Sequence, residues 1–362
     1  MKCARFLLVF LLAIQPFGRG MAQIGGNAIY QFLDLPFSAR TASLGGNLIS
    51  VKDDDINLIA QNPSLLSSSM DNKFSMNYVN YFSDINYGYT TYAKTFKKLG
   101  NFSVGMQFLD YGKFIRADET ATTSGSFRAN DNCLNLGYSK EIDTMWSIGA
   151  QIKTIYSVLD SWYSIGNAVD LGVTYFNSKR NFTFAAVVKN VGYEWHTYFQ
   201  TQEKLPYEYQ LGISKKPKHA PFRLSIIATH LEKWNLTYID PANPPLTEDP
   251  LTHEPIKQNK TKIFADKVMR HAIFGGELLL TKNFNIRFGF NYERRRELRV
   301  DTRPALVGFS FGFGFKIYKF QLGYGYASYH LAGGSNHFTI TTNISDFYKK
   351  KSAPIVNPTI NE

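Results

Sequence analysis

Arg294, Arg295 and Arg296, followed by Arg299 and Arg303, form the densest charge cluster in the sequence. Guanidinium groups bind phosphate and acidic sugars through paired hydrogen bonds, so the three consecutive arginines are a candidate lipopolysaccharide contact. The plainer reading puts them at the rim of a membrane protein, stems along apolar surface and heads in water. No catalytic constellation accompanies them. Ser-x-x-Lys, Ser-Asp-Asn and Lys-Thr-Gly do not occur, which disfavours a serine acyl-transferase of the penicillin-binding kind. His-Glu-x-x-His, the common zinc-protease arrangement, does not occur either. Asp53-x-Asp55-x-Asn57 begins like a calcium loop, but the positions that require Gly and Glu hold Leu58 and Ser64, so it reads as a solvated acidic turn. The histidines are scattered; His330 and His337 flank one short loop and read as exposed polar residues. Gly312-Phe313-Gly314 and Gly323-Tyr324-Gly325 lack the third glycine and the helix that follows a dinucleotide loop. The expectation is a non-enzyme without metal or cofactor.

The elements that position these residues are read from composition and pattern. The 362 residues carry 40 Lys+Arg against 29 Asp+Glu, a net charge of +11, and only 19% are charged while 15% are aromatic. An ordinary soluble domain is about 25% charged. The longest unbroken apolar run, Phe6–Ile14, falls well short of the roughly 20 residues of a spanning helix. Cys3 and Cys133 are the only cysteines, which excludes a disulfide framework. Lys2 and Arg5 precede the apolar run, Pro16, Gly18 and Gly20 break it, and Gly20-Met21-Ala22 sets small residues before Gln23. Residues 1–22 therefore read as a secretory signal peptide. Export makes nucleic acid an implausible partner despite the basic balance.

Phe284, Ile286, Phe288, Phe290 and Tyr292 alternate with Asn285, Arg287, Gly289 and Asn291. Phe309, Phe311, Phe313, Phe315 and Ile317 do the same against Ser310, Gly312, Gly314 and Lys316. Period-two alternation is strand geometry with one apolar face. Fourteen such segments lie between residues 73 and 345, most long enough to match the roughly 9–11 residues of a tilted bilayer-crossing strand. Short and longer connections tend to alternate, as periplasmic turns and outer loops do in outer-membrane barrels. A sheet in hydrocarbon must close to pair its backbone. The chain is therefore expected to be all-β: a 14-stranded antiparallel transmembrane β-barrel over residues 73–345, with 346–362 as a periplasmic tail. The Phe/Ile/Leu face should meet lipid and the Asn/Gln/Lys/Gly face the lumen. Inward glycines such as Gly149, Gly172, Gly289 and Gly325 either admit a packed segment or relieve curvature.

Residues 23–72 do not alternate, and their mixture of Leu, Ile, Tyr and Phe with small residues suits an ordered N-terminal plug. Three stretches stand out: Gly25-Gly26-Asn27-Ala28-Ile29-Tyr30-Gln31-Phe32-Leu33, Ser38-Ala39-Arg40-Thr41-Ala42-Ser43-Leu44-Gly45-Gly46, and the turn-forming Asn62-Pro63-Ser64-Leu65-Leu66. This pattern, with Gly25, Gly26, Tyr30, Arg40, Gly45, Gly46, Asn62 and Pro63 as its plug signature, resembles the PorV/PorQ group of outer-membrane components of the type IX protein secretion system. The Asn-Pro-(Ala/Ser) element is also similar to the N-terminal hatch of the long-chain fatty-acid transporter family, whose members are expected to be larger with a longer hatch. The resemblance implies a Gram-negative outer-membrane scaffold that holds a PorZ-like surface subunit alongside PorU and PorV, near outer-membrane lipid and lipopolysaccharide. A transporter for hydrophobic small molecules is the alternative from a different class.

The connection 235–269 is the longest, and long loops are usually functional or disordered. Prolines such as Pro244 and Pro245 crowd its middle, and Trp234, Tyr238 and Phe264 flank it as apolar anchors. It is the candidate partner-docking loop.

Overall fold

The computed structural model describes residues 28–199, 201–237, 259–298, 306–330 and 333–348. The signal peptide, Gly25, Gly26, Tyr238, Pro244, Pro245, Arg299, Arg303 and the tail from 349 onward lie outside the described residues.

Fourteen strands close into one barrel. They are β1 (Lys73–Asn80), β2 (Asn86–Phe96), β3 (Gly100–Ala117), β4 (Thr123–Glu141), β5 (Trp146–Leu159), β6 (Trp162–Asn177) and β7 (Phe182–His196). The circuit continues with β8 (Glu208–Lys215), β9 (Phe222–Ala228), β10 (Ala272–Leu278), β11 (Phe284–Asn291), β12 (Phe309–Ile317), β13 (Phe320–His330) and β14 (Gly333–Asn343). Each strand pairs antiparallel with its chain neighbours, and β1 pairs with β14 from Lys73↔Asn343 to Asn80↔Asn336. No helix among the described residues is long and apolar enough to cross a membrane; the crossing elements are strands. The alternation sets their facing: in β1, Phe74, Met76 and Tyr78 are exposed while Ser75, Asn77 and Val79 are buried inside. Phe311 and Tyr326 pair across the outer surface of β12 and β13 with ring centroids 5.2 Å apart. An apolar exterior around a polar interior is the inverse of a soluble protein and suits a lipid solvent.

The wall is uneven. β3 and β4 run 18 and 19 residues, whereas β9 and β10 run 7 each. The surplus stands at the loop end, where β3 pairs with β4 and β5 with β6. The β3–β4 and β5–β6 connections are short because β3 and β4 continue pairing to Ala117↔Thr123, and β5 and β6 to Leu159↔Trp162. Stacked Phe114 and Phe127, 5.1 Å apart, hold the β3–β4 extension. Elsewhere strands are shorter than the pattern implied. The chain leaves β9 at Ala228, with His230 at φ 53°. Residues 292–298 coil into a helix instead of extending β11.

Residues 28–72 fill the lumen with short helical turns, among them α1 (Ala39–Ser43) and single 3-10 turns at Ile56–Ala60 and Pro63–Leu65. Leu44, Leu48, Val51, Leu58 and Leu65 form a core of their own inside the barrel, each worth about 1.5–3 kcal/mol of burial. Two further helices, α2 (Lys260–Arg270) and α3 (Tyr292–Leu298), sit at the loop end.

Candidate functional site

The Asn62-Pro63-Ser64 turn sits deep in the lumen against β5 and β6. Asn62 Oδ1 accepts from the Ser64 backbone N–H at 3.0 Å, which caps the turn, while its Nδ2 donates to the Ile49 carbonyl at 2.8 Å and to Thr174 Oγ1 at 3.1 Å. Asparagine is required because one side chain donates and accepts at once. The wall glycines answer the question the sequence left open. A Cβ on Gly149 would lie 2.4 Å from the Pro63 carbonyl carbon, and one on Gly289 would lie 2.1 Å from the Gly45 nitrogen. At these positions glycine admits the plug.

Arg40 fixes the plug to the wall at the turn end. Its guanidinium donates Nε to Glu277 Oε1 at 2.8 Å and Nη2 to Glu277 Oε2 at 2.9 Å, and it also reaches Asp53 Oδ2 at 2.7 Å and Asp55 Oδ2 at 3.1 Å. Arg223 bridges the same Asp53 and Glu277, and Arg287 adds a contact to Glu277 at 3.3 Å. Burial acts to raise the Asp53 carboxyl, but Arg40 and Arg223 outweigh it and hold it well below the usual carboxylate range. The acidic stretch expected as a solvated turn is thus an ion-paired latch. Glu277 and Arg223 were missed by the sequence reading; an ionisable residue on the lumen face of a spanning strand was the available signal.

Gly45 and Gly46 follow α1 at φ +96° and +100°, the left-handed region that favours glycine. The turn they make lets the Gly45 N–H donate to Ser310 Oγ at 3.0 Å and lays Gly46 beneath Arg294.

The three rim arginines part company. Arg294 lies over the Tyr329 ring at 4.1 Å, Arg295 Nη1 donates to the Val307 carbonyl at 3.2 Å, and Arg296 pairs with Asp266 of α2 at 3.1 Å. They do not form one joint surface. His337, expected to be exposed, is fully buried on the lumen side of β14, where Ser335 Oγ meets its Nε2 at 2.7 Å.

Of the docking-loop residues, Trp234 and Phe264 are described. Their rings lie 5.9 Å apart and both are more than half exposed, with Ile263 beside them on α2. Behind them His230 joins three loop-end segments through Glu232 at 3.3 Å, Glu208 at 3.8 Å and Glu293 at 3.9 Å. Burial acts to lower the imidazole, but the hydrogen bond to Glu232 and the neighbouring carboxylates outweigh it and push it up to about 10. Burial pushes Glu293 up to about 7.

The tall β3–β5 wall borders an open-mouthed cavity of about 380 Å³ at the loop end, walled by Ile29, Tyr30, Phe114, Ala129, Val158 and Leu159, with Tyr111, Asp131, Ser157, Tyr198 and, at its exposed rim, Gln31 as its polar groups. Tyr111 and Gly112 form a bulge in β3, where the register slips between Asp110 and Lys113. The bulge brings Tyr111 Oη to Asp131 Oδ2 at 2.7 Å. Tyr30, from the plug signature, closes the cavity with φ 61° and its hydroxyl on Ser164. None of the cavity's wall residues but Tyr30 was expected as a site, because the wall assembles from three strands and a loop. The volume lies in the 300–1,000 Å³ range typical of small-molecule sites.

No family model and no curated protein matches the sequence. Among solved structures the chain is similar to the Pseudomonas putida toluene transporter TodX, at 11% identity over 85% of this chain and 96% of that one, with a TM-score of 0.50. It is also similar to a Pseudomonas aeruginosa FadL homologue, at 10% identity over 85% and 98%, with a TM-score of 0.45. At such identity the likeness to TodX concerns the fold: a closed 14-stranded barrel with an N-terminal helical segment.

Proposed function

We propose that this chain is a bacterial outer-membrane barrel that binds hydrophobic small molecules at its outer mouth and passes them on without opening an aqueous pore. The apolar-walled cavity between the N-terminal segment and β3–β5 carries the reading. It stands above a lumen occupied by residues of the plug, so a ligand could be held there without an open water channel. TodX, with a similar fold, is a toluene transporter, and the cavity would give that kind of chemistry a place here. Filling the cavity with Ala129→Trp tests it. Binding of an apolar environment-sensitive dye to the purified barrel should be lost while heat-modifiable gel migration stays normal; dye binding that survives the filling would sink the reading.

The second reading is a non-enzymatic scaffold of the type IX system that docks a PorZ-like subunit beside PorU and PorV. It is favoured by the exposed Trp234–Phe264 pair and Ile263 at the loop end and by the plug signature. Replacing residues 240–257 with a short Gly/Ser link, in cells, should release a surface protein into the medium if the scaffold reading holds. Retention on an intact barrel would remove it. A lipopolysaccharide contact, proposed first for Arg294, Arg295 and Arg296, is best placed at Arg296, whose side chain is about half exposed. Arg296→Gln should lower glycolipid retained on purification.

A further inference from the structure

The polar end of the loop-end cavity has a direction. Asp131 is buried, and its Oδ2 accepts from Tyr111 Oη at 2.7 Å while its Oδ1 accepts from Ser157 Oγ. Ser157 has then spent its proton, so the Tyr198 hydroxyl that meets it must be the donor of that pair. The same holds on the neighbouring side. Ser164 Oγ donates to Glu194 Oε1 at 2.7 Å, so Tyr30 Oη donates to Ser164. Each of these hydroxyl protons is committed, to a carboxylate directly or to a serine that itself donates to one. What faces the cavity is lone pairs on Asp131 and on the tyrosine oxygens. Among the described residues no Lys, Arg or His lines the cavity.

We infer that the loop-end cavity selects an apolar ligand with a cationic amine head and rejects a carboxylate, the ammonium donating to Asp131. The inference rests on the reading of this cavity as a ligand site and names its substrate class. A carboxylate head would bring a second negative charge beside Asp131, where the hydroxyl donors are already committed; the other polar side chain of the lining, the exposed Gln31, turns its amide to the Ala28 carbonyl at 3.4 Å. An alcohol could donate one neutral hydrogen bond and should fall between. An ammonium makes a charge-assisted bond to a buried carboxylate. Its apolar body has Ile29, Phe114, Val158 and Leu159 to pack against.

The test is competition against the neutral dye prodan, with the barrel in lipid nanodiscs at neutral pH. Octylamine, octanol and octanoate share one chain and differ in the head. Octylamine should displace the dye at about tenfold lower concentration than octanol, the scale of a hydrogen bond to a charged group, and octanoate should displace least. In Asp131→Asn, which keeps size and one acceptor, the amine-to-alcohol ratio should fall about tenfold from that of the unaltered protein. Because the ratio is compared between the two proteins, the different partition of the amphiphiles into lipid cancels. Octanoate competing as well as octylamine in the unaltered protein would overturn the inference while leaving the cavity as a site. An amine preference that persists in Asp131→Asn would overturn it too. Dye binding that none of the three displaces, and that Ala129→Trp does not reduce, would overturn the cavity reading itself.

Discussion

Arg40 and Glu277, 237 residues apart in the chain, face each other through two near-parallel hydrogen bonds of 2.8 and 2.9 Å. One belongs to the plug and the other to β10, so the pair joins two parts of the chain that no local pattern connects. The two partners are not equivalent. Without Arg40, Glu277 keeps Arg223 and Arg287, Asp53 keeps Arg223, and Asp55, which loses its pair, is partly exposed to solvent. Without Glu277, Arg287 loses its one ion pair given among the described residues, although it is nine-tenths buried. Breaking a buried ion pair from one side typically costs about 3–5 kcal/mol. We expect Glu277→Ala near the top of that range and Arg40→Ala nearer its foot, read from urea unfolding in liposomes. An Arg40→Ala loss equal to or larger than that of Glu277→Ala would contradict the asymmetry.

The plug should be what seals the barrel. Its turns press on the wall at Gly149 and Gly289, and its core of Leu44, Leu48, Val51, Leu58 and Leu65 is buried within the lumen. Deleting residues 28–72 should turn a poorly conducting protein into an ohmic channel in planar bilayers, since the exposed lumen face is polar. Equal conductance with and without the segment would mean that the seal lies elsewhere.

The loop-end carboxylates and His230 predict a loosening with rising pH. The imidazole, raised from 6.5 to about 10, contributes stability that is complete below 6.5 and is lost as pH climbs through 10. Glu293, raised from 4.5 to about 7, also holds its proton longer in the fold than in the unfolded chain, so its contribution is lost between those values as well. Both act in one direction. A nitroxide at residue 235, in a Cys133→Ser background, should become more mobile between pH 6 and pH 10 by electron paramagnetic resonance. In His230→Gln the change above pH 7 should flatten. A label equally immobile at both pH values would argue that these loops are held by something else.

How far the sequence reveals this molecule depends on the range of each interaction. The strands were legible because alternation is a property of adjacent residues, and Phe284 to Asn291 showed its facing without knowledge of any partner. Asn62-Pro63 was legible as a turn for the same reason. The latch was not. Asp53 and Asp55 carry the local marks of a solvated turn, and what changes their meaning is a register that sets Arg223, Glu277 and Arg287 around the lumen. Helix α3 was hidden by continuity. The alternation of β11 runs on to Tyr292, and the Arg residues after it, good helix formers, read as a charged membrane rim. The β3–β4 extension escaped because the bulge at Tyr111 and Gly112 shifts the phase of the alternation. The cavity, and with it Asp131, exists only once that extension stands beside β5 and the residues before Phe32.

The closeness of plug and wall gives the sharpest contrast between two glycines. Added to Gly149, a Cβ would lie 2.4 Å from the Pro63 carbonyl carbon and 2.5 Å from the Ser64 nitrogen, both backbone atoms of a capped turn. Added to Gly276, it would meet nothing nearer than Leu224 Cδ2 at 3.8 Å. Both glycines lie inside strands at negative or extended φ, so alanine removes similar freedom from the unfolded chain at each. The difference between the variants therefore isolates the contact. Gly149→Ala should cost roughly 1–3 kcal/mol, the usual scale of overpacking, and should add a measurable leak in bilayers as the Asn62-Pro63 turn is pushed off β5. Gly276→Ala should leave both stability and conductance within error of the unaltered protein. A Gly149→Ala barrel as stable and as tight as Gly276→Ala would mean that the turn yields without unseating the plug. The seal would then have to rest on the Arg40–Glu277 latch at the other end of the segment.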